Sequence, residues 1–201
     1  ASFPYSGSAS MATWNARSLC CTDPHRARRK LALLRTLCSS NDIVCIQEAR
    51  ALEERGYSIE LELAASHACF WSSCLDSSGG GVAVFIARRF LKFFTSPPLA
   101  THVIHGRILQ VELRGPNGAL DCFCTHLDRS NDSRVRCSQL DLLRSKIRDE
   151  SGVHTILAGD WNCVFDAADI FSCASASSPG PDRQEKWLWD SKFKCFREWS
   201  Y

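Results

Sequence analysis

The sequence predicts an α/β protein in which two β-sheets form a sandwich and helices cover both outer faces. Its strand-like runs are predominantly apolar, as in Ile43–Ile46, Val82–Ile86 and Thr155–Leu157, which is typical of strands covered on both faces. Amphipathic helical segments alternate with these runs, notably Leu31–Cys38 and Ser133–Arg148. This alternation is characteristic of layered α/β folds. We therefore expect all three strand-like runs to be central and buried.

The first half of the chain begins with a strand-like run that ends near Asn15. Thr22-Asp23-Pro24 then predicts a helix start, because a capping side chain is followed by proline. Ser39–Asn41 ends that helix, and Asp42 opens the next strand. Two further strands are predicted at Tyr57–Leu63 and Ala68–Trp71.

The second half contains a predicted hairpin and two loops. Ile108–Leu113 and Leu120–Thr125 alternate as strands do, and the Asn-Gly pair within Gly115–Gly118 favours a tight turn between them. Ser77–Gly81 is interpreted as a turn rather than a phosphate-binding loop, because no Lys-Ser or Lys-Thr follows it. Ser172–Pro181 is rich in serine, alanine, proline and glycine and is predicted to be a loop.

Length and charge limit the possible organisation and partners. A chain of 201 residues is long enough for one well-packed domain, expected at 11–201 after a flexible segment at 1–10. The net charge of +2 implies only modest whole-molecule attraction to nucleic acid. The densest basic run, His25–Lys30, is interpreted as the solvated first turn of a helix. Contact with phosphate is the alternative for this run.

The twelve cysteines lack the paired Cys-x2-Cys spacing of structural zinc sites. Cys45, Cys122, Cys124 and Cys163 lie in or beside apolar strands, where thiols pack as small hydrophobic groups. Residues 1–10 lack the basic start and apolar run of a signal peptide. No apolar stretch approaches the length of a membrane span. We expect an intracellular monomer, nuclear or cytoplasmic, with reduced thiols and no membrane partner.

Polar side chains suited to catalysis follow four of the predicted strands. Asp160 and Asn162 come after an apolar run and, being two residues apart, would share one face of an extended strand. Earlier runs end at Asn15, Glu48 and His126. Functional groups often lie where strands end, although Gly-Asp-x-Asn is also common in turns. Because the pattern recurs at four strands, we expect these five residues to converge in one cleft.

Several motifs together resemble the endonuclease/exonuclease/phosphatase superfamily over about residues 11–170. In chain order they are Trp14-Asn15, Gln47-Glu48, Gly79-Gly80-Gly81-Val82-Ala83-Val84, Thr125-His126-Leu127-Asp128 and Gly159-Asp160-Trp161-Asn162. Members of the superfamily include apurinic endonucleases, pancreatic-type DNases, deadenylases, inositol-phosphate phosphatases and neutral sphingomyelinases. The wording of the motifs is most similar to endonuclease domains of LINE-type retrotransposons. The resemblance implies a four-layer sandwich of two mixed β-sheets packed face to face, with helices outside.

The resemblance also implies a function, a cofactor and a set of roles. The expected activity is Mg²⁺-dependent phosphodiester hydrolysis, with DNA as the expected partner and Mn²⁺ as an alternative metal. Magnesium prefers oxygen ligands, and Glu48 matches the family's metal ligand, supported by Asn15. Asp160 matches the residue that activates water, and Asn162 matches the amide that orients it. His126 matches a phosphate-contacting histidine of the DNase-like and phosphatase-like branches.

One departure from the family pattern affects the expected activity. Family members end in Ser-Asp-His or Asp-His, whereas the last histidine here is His154. We therefore expect a chain that lacks its final strand, either a fragment or a degenerate copy, and weak or no activity from the chain alone. The complete parent protein is expected to nick DNA. Two alternatives stay open: a phosphatase or phospholipase-type member of the same fold, and a non-catalytic remnant that binds nucleic acid.

Overall fold

The structure, a computed structural model, describes residues 8–50, 53–74, 80–129 and 133–162. Within these ranges the elements, in chain order, are β1 (Met11–Asn15), α1 (Pro24–Ser40), β2 (Ile43–Gln47), α2 (Glu53–Leu63), β3 (His67–Ser72), β4 (Val82–Ala87), α3 (Arg88–Leu91), β5 (Leu99–Ile104), β6 (Ile108–Gly115), β7 (Gly118–His126), α4 (Ser133–Lys146) and β8 (Val153–Asp160). The predictions for Cys163, for Ser172–Pro181 and for most of the glycine-rich turn lie outside the described residues.

The chain divides into two compact units. The first consists of residues Ala1–His126 and Lys146–Asp160, and the second of Leu127–Ser145 and Trp161–Tyr201. Both sheets belong to the first unit, and nearly all of α4 belongs to the second. No helix among the described residues is both long and apolar enough to cross a membrane.

The first sheet brings the ends of β1 and β2 together. Its strand order is β1-β2-β4-β3, with β1 parallel to β2 and antiparallel pairing elsewhere. The register places Asn15 opposite Gln47. The last residue of β1 therefore lies next to Glu48, which directly follows β2.

The second sheet brings the ends of β7 and β8 together in the same way. Its order is β5-β6-β7-β8, and only the β7–β8 pair is parallel. His126 and Asp160 are direct partners in this register. The predicted hairpin is confirmed, since β6 and β7 pair up to Gly115 and Gly118 with two residues between them.

The two sheets pack face to face, which confirms the predicted α/β sandwich of two mixed sheets. Cys45 and Val84 from the first sheet share a core with Val111 and Cys122 from the second, and all four are fully buried. The Sγ atoms of Cys45 and Cys122 are 3.8 Å apart. Hydrogen bonding with Cys122 and Cys124 contributes most to raising the pKa of the Cys45 thiol, and burial raises it further.

The burial of the predicted strands is confirmed for two of three. Ile43–Ile46 and Val82–Ile86 are completely buried. Thr155–Leu157 is only partly buried, so the prediction of a fully buried central strand was wrong there. The reason is position: within the described sheet, β8 pairs with β7 on one side only.

Helices α1 and α2 cover the outer face of the first sheet. Leu34 and Cys38 of α1 pack in one cluster with Val44, Ile46 and Phe85 of the sheet. The predicted start of α1 is confirmed, because the Asp23 side chain accepts hydrogen bonds from two backbone N–H groups of the first turn at 2.9 and 3.2 Å.

The strand predicted at Tyr57–Leu63 was wrong, since these residues form the end of α2. Apolar side chains alternate with polar ones there, which imitates a strand. In the structure Ile59 and Leu63, four residues apart, face the core together. Tyr57 and Leu61 remain exposed by 62% and 60%. The four-residue spacing of a helix places Ile59 and Leu63 on the face that packs against the sheet, whereas a strand would also direct Tyr57 and Leu61 toward it.

We predict that Arg148→Met destabilises the fold by about 3 kcal/mol, because removal of one partner leaves the other charge buried and unpaired. Asp121 is fully buried. It accepts two hydrogen bonds from the Arg148 guanidinium, from Nε at 2.9 Å and from Nη2 at 2.7 Å. Urea unfolding measures the change. The control is Arg35→Met, which breaks the exposed Arg35–Glu62 ion pair and should cost under about 1 kcal/mol. Equal losses in both variants would contradict the prediction.

Candidate active site

Four of the five predicted site residues lie together at the carboxyl ends of two parallel strand pairs. Asn15 ends β1, and Glu48 follows β2. His126 ends β7 and Asp160 ends β8. Because the parallel partners finish at the same edge of each sheet, each sheet delivers two of the four side chains. Face-to-face packing then brings the two edges together.

The Asn15 side-chain amide joins carboxylates from the two sheets. Its Nδ2 donates to Glu48 Oε1 at 2.9 Å and to Asp160 Oδ2 at 2.6 Å. One ligand atom each from Glu48, Asp160 and His126 lies within 4.8 Å of the others. Two carboxylates this close repel each other unless a cation or hydrogen-bond donors lie between them. Oxygen-rich clusters of this kind fit a divalent cation.

The orientation of the Asn15 amide follows from its second partner. Its Oδ1 accepts a hydrogen bond from the backbone N–H of Arg17 at 3.0 Å. The opposite orientation would turn the carbonyl oxygen toward Glu48 and Asp160, where no hydrogen could be shared with an ionised carboxylate. Asn15 therefore holds the two carboxylates through its nitrogen in this arrangement.

Glu48 is held in an unusual backbone conformation. Its φ is 51°, in the left-handed region that non-glycine residues rarely adopt. Its carbonyl oxygen accepts hydrogen bonds from Ser18 N at 2.8 Å and Leu19 N at 3.3 Å. The residue is 4% exposed. Strained, buried polar residues cluster at functional sites, where surrounding contacts maintain them.

Lys30 stabilises the loop that follows Asn15. Its ammonium group donates to the backbone oxygens of Ala16 at 2.7 Å and Ser18 at 2.9 Å, and also to that of Arg17. All three ammonium hydrogens are therefore engaged. His25, at the other end of the basic run, is exposed. The structure thus gives Lys30 a structural contact rather than a phosphate contact.

His126 is buried, with Nε2 near the Glu48 carboxylate and Nδ1 near the Arg107 guanidinium. The histidine is 1% exposed, with Nε2 3.9 Å from Glu48 Oε1. Its backbone N–H donates to the Arg107 carbonyl oxygen at 2.8 Å. The Arg107 guanidinium Nη1 is 3.3 Å from His126 Nδ1.

Sequence reasoning did not single out Arg107, which belongs to no motif. The hairpin register could have revealed it. Once the turn between β6 and β7 is placed, Ile108 pairs with Thr125. Arg107 must then lie opposite His126.

Asn162 belongs to the second unit and is described there alone. It follows β8 with a φ of 48°. Its side-chain Nδ2 donates to the backbone oxygen of Leu127 at 2.7 Å. Its predicted role beside Asp160 stays a prediction.

Comparison with known proteins identifies the family and the fold. A family model described as Endonuclease/Exonuclease/phosphatase family matches residues 12–198. A search of the curated proteins gives no match.

Solved structures with the same fold include three forms of TDP2. D. rerio TDP2 complexed with single strand DNA product is 21% identical, with a TM-score of 0.58 over 79% of this chain and 62% of that one. Humanized D. rerio TDP2 is 20% identical, with a TM-score of 0.58 over 77% of this chain and 66% of that one. Truncated Caenorhabditis elegans TDP2 is 18% identical, with a TM-score of 0.56 over 77% and 62%. The chain thus spans less than two thirds of each of these structures.

Proposed function

We propose that this chain, which belongs to the endonuclease/exonuclease/phosphatase family, is a metal-dependent phosphodiester hydrolase of the nuclease type. The observation that carries the proposal is the approach of Glu48 and Asp160 from two sheets, bridged by Asn15 Nδ2 at 2.9 and 2.6 Å. The two carboxylates are far apart along the chain. Acidic groups brought together from strand ends of two sheets are characteristic of functional sites, which supports a site that uses their combined charge.

The four residues of the first unit have complementary proposed roles. Glu48 holds the cation, and Asp160 accepts a proton from the attacking water. Asn15 keeps the two carboxylates in place, and His126 donates a hydrogen bond to a phosphate oxygen. A bound divalent cation neutralises phosphate charge and lowers the pKa of water. We propose Mg²⁺ as that cation, with Mn²⁺ as a substitute, because carboxylate oxygens suit both.

DNA is the proposed substrate. One solved structure of the same fold contains a single strand DNA product. That observation concerns TDP2, and the likeness to this chain is one of fold.

We predict that the purified chain nicks supercoiled plasmid weakly at most, that any nicking requires MgCl₂, and that EDTA stops it. The reason is that removal of the cation leaves the phosphate charge and the carboxylates without neutralisation. Gel electrophoresis measures conversion to open circles, and calorimetry with MgCl₂ measures binding of the metal alone. Nicking that persists in EDTA, or no detectable metal binding, would contradict the proposal. Release of phosphate from inositol phosphates without nicking would favour the phosphatase alternative.

A further inference from the structure

The Arg107–His126 contact determines which nitrogen of His126 carries hydrogen. The guanidinium Nη1 lies 3.3 Å from His126 Nδ1. Arginine stays protonated in proteins and offers only donors, so it has no lone pair to accept a hydrogen bond. His126 Nδ1 must therefore be the acceptor. An accepting ring nitrogen carries no hydrogen.

A neutral imidazole with a bare Nδ1 carries its hydrogen on Nε2. Nε2 is the nitrogen that lies 3.9 Å from Glu48 Oε1, on the side of the carboxylates. His126 thus presents an N–H group to the site. Metal coordination by histidine requires a lone pair on the coordinating nitrogen.

We propose that Arg107 is a positioning residue that keeps His126 in the Nε2–H tautomer, so that His126 donates to substrate and does not coordinate the metal. The cation would then be held through oxygen, with the Glu48 carboxylate as its ligand, and not through an imidazole nitrogen. An oxygen-only set suits Mg²⁺ and Mn²⁺, whereas an added imidazole would shift preference toward Zn²⁺. The consequence for substrate rests on the proposed function, but the tautomer itself does not.

Hydrogen bonds hold the backbone around Arg107 against neighbouring elements, and this restricts where its guanidinium can lie. Arg107 N donates to the Ile104 oxygen at 3.0 Å. The preceding residue, Gly106, donates to Ser72 Oγ at 2.9 Å. The Gly106 oxygen accepts from Gly81 N at 2.9 Å.

The first test is the ¹⁵N NMR spectrum of imidazole-labelled protein, without metal and at alkaline pH. His126 is assigned by its loss in His126→Gln. We expect a pyridine-type shift for Nδ1 and a pyrrole-type shift for Nε2, with at least about a tenfold excess of this tautomer. A pyrrole-type shift at Nδ1 would overturn the proposal. The unmodified chain suffices for this measurement.

The second test asks whether removal of the donor lets His126 coordinate a metal. Mn²⁺ alone is the probe, and electron spin echo modulation by a directly bound imidazole nitrogen is the readout. We expect no such modulation in the unmodified chain or in Arg107→Lys, which retains a cationic donor. Arg107→Met should lose the tautomer excess and show the nitrogen signal.

The matched control is Arg114→Met at the far end of β6. Arg114 is exposed and pairs with Glu112, so its removal should leave both spectra unchanged. Nitrogen modulation in the unmodified chain would overturn the proposal, as would an unchanged tautomer in Arg107→Met. If the tautomer is as expected but the chain neither binds Mg²⁺ nor hydrolyses a phosphodiester, the proposed function fails while the assignment of Arg107 stands.

Discussion

Replacement of Glu48 by glutamine is expected to reduce metal-dependent DNA nicking by on the order of a thousandfold, the scale of losing one preorganised electrostatic group. Glutamine keeps the shape and retains an oxygen that can accept from Asn15 Nδ2, which donates to Glu48 at 2.9 Å. It removes the charge that holds the cation beside Asp160. Activity should therefore fall while the fold persists. Plasmid nicking measures the rate, and urea unfolding checks stability.

Glu62→Gln is the matched control for this loss of charge. Glu62 lies on the helical surface, where it pairs with Arg35. Its substitution should leave nicking within about twofold, because exposed ion pairs contribute little. Metal-dependent nicking that survives Glu48→Gln would rule out Glu48 as the metal-holding residue.

The substitution Gly159→Ala is expected to destabilise the protein by about 4 kcal/mol, combining backbone strain with overpacking. Gly159 has a φ of 152°, which favours glycine. It pairs directly with Thr125 in the parallel β7–β8 ladder. A Cβ atom would overlap the backbone oxygen and the side-chain Oγ1 of Thr125. The strand would have to shift, carrying Asp160 with it.

Gly152→Ala is the matched control for Gly159→Ala, because it separates the effect of backbone strain from the effect of steric overlap. Gly152 also has a positive φ, at 83°, but the nearest atoms to an added Cβ are 3.9 Å away. Backbone strain alone should cost about 1 kcal/mol there. Thermal and urea unfolding of both variants measure the difference. Similar losses for the two substitutions would show that the close approach to Thr125 does not matter.

Local patterns predicted the buried strands correctly where both faces are covered. Ile43–Ile46 and Val82–Ile86 are apolar throughout because neighbouring layers cover them. The start of α1 was equally predictable, since Asp23 caps N–H groups only two and three residues away. In each case the information lies within a few residues.

Local patterns failed where the surface being covered decides the structure. Alternation at Tyr57–Leu63 is compatible with a strand, but the helix buries Ile59 and Leu63 together. Burial of Thr155–Leu157 depends on how many strands flank β8, which its composition does not encode. The position of Arg107 depends on the register of a hairpin rather than on a motif.

The sequence by itself determined the family resemblance and the residue types at the strand ends, because each apolar run leads directly into its polar residue. Only the tertiary structure decided that Asn15 reaches Asp160, 145 residues away, with its Nδ2 at 2.6 Å from Oδ2. The same holds for the contact between Arg107 and His126. Distances of this kind are set by sheet register and by the packing of one sheet on the other. Both are long-range properties that no local periodicity specifies.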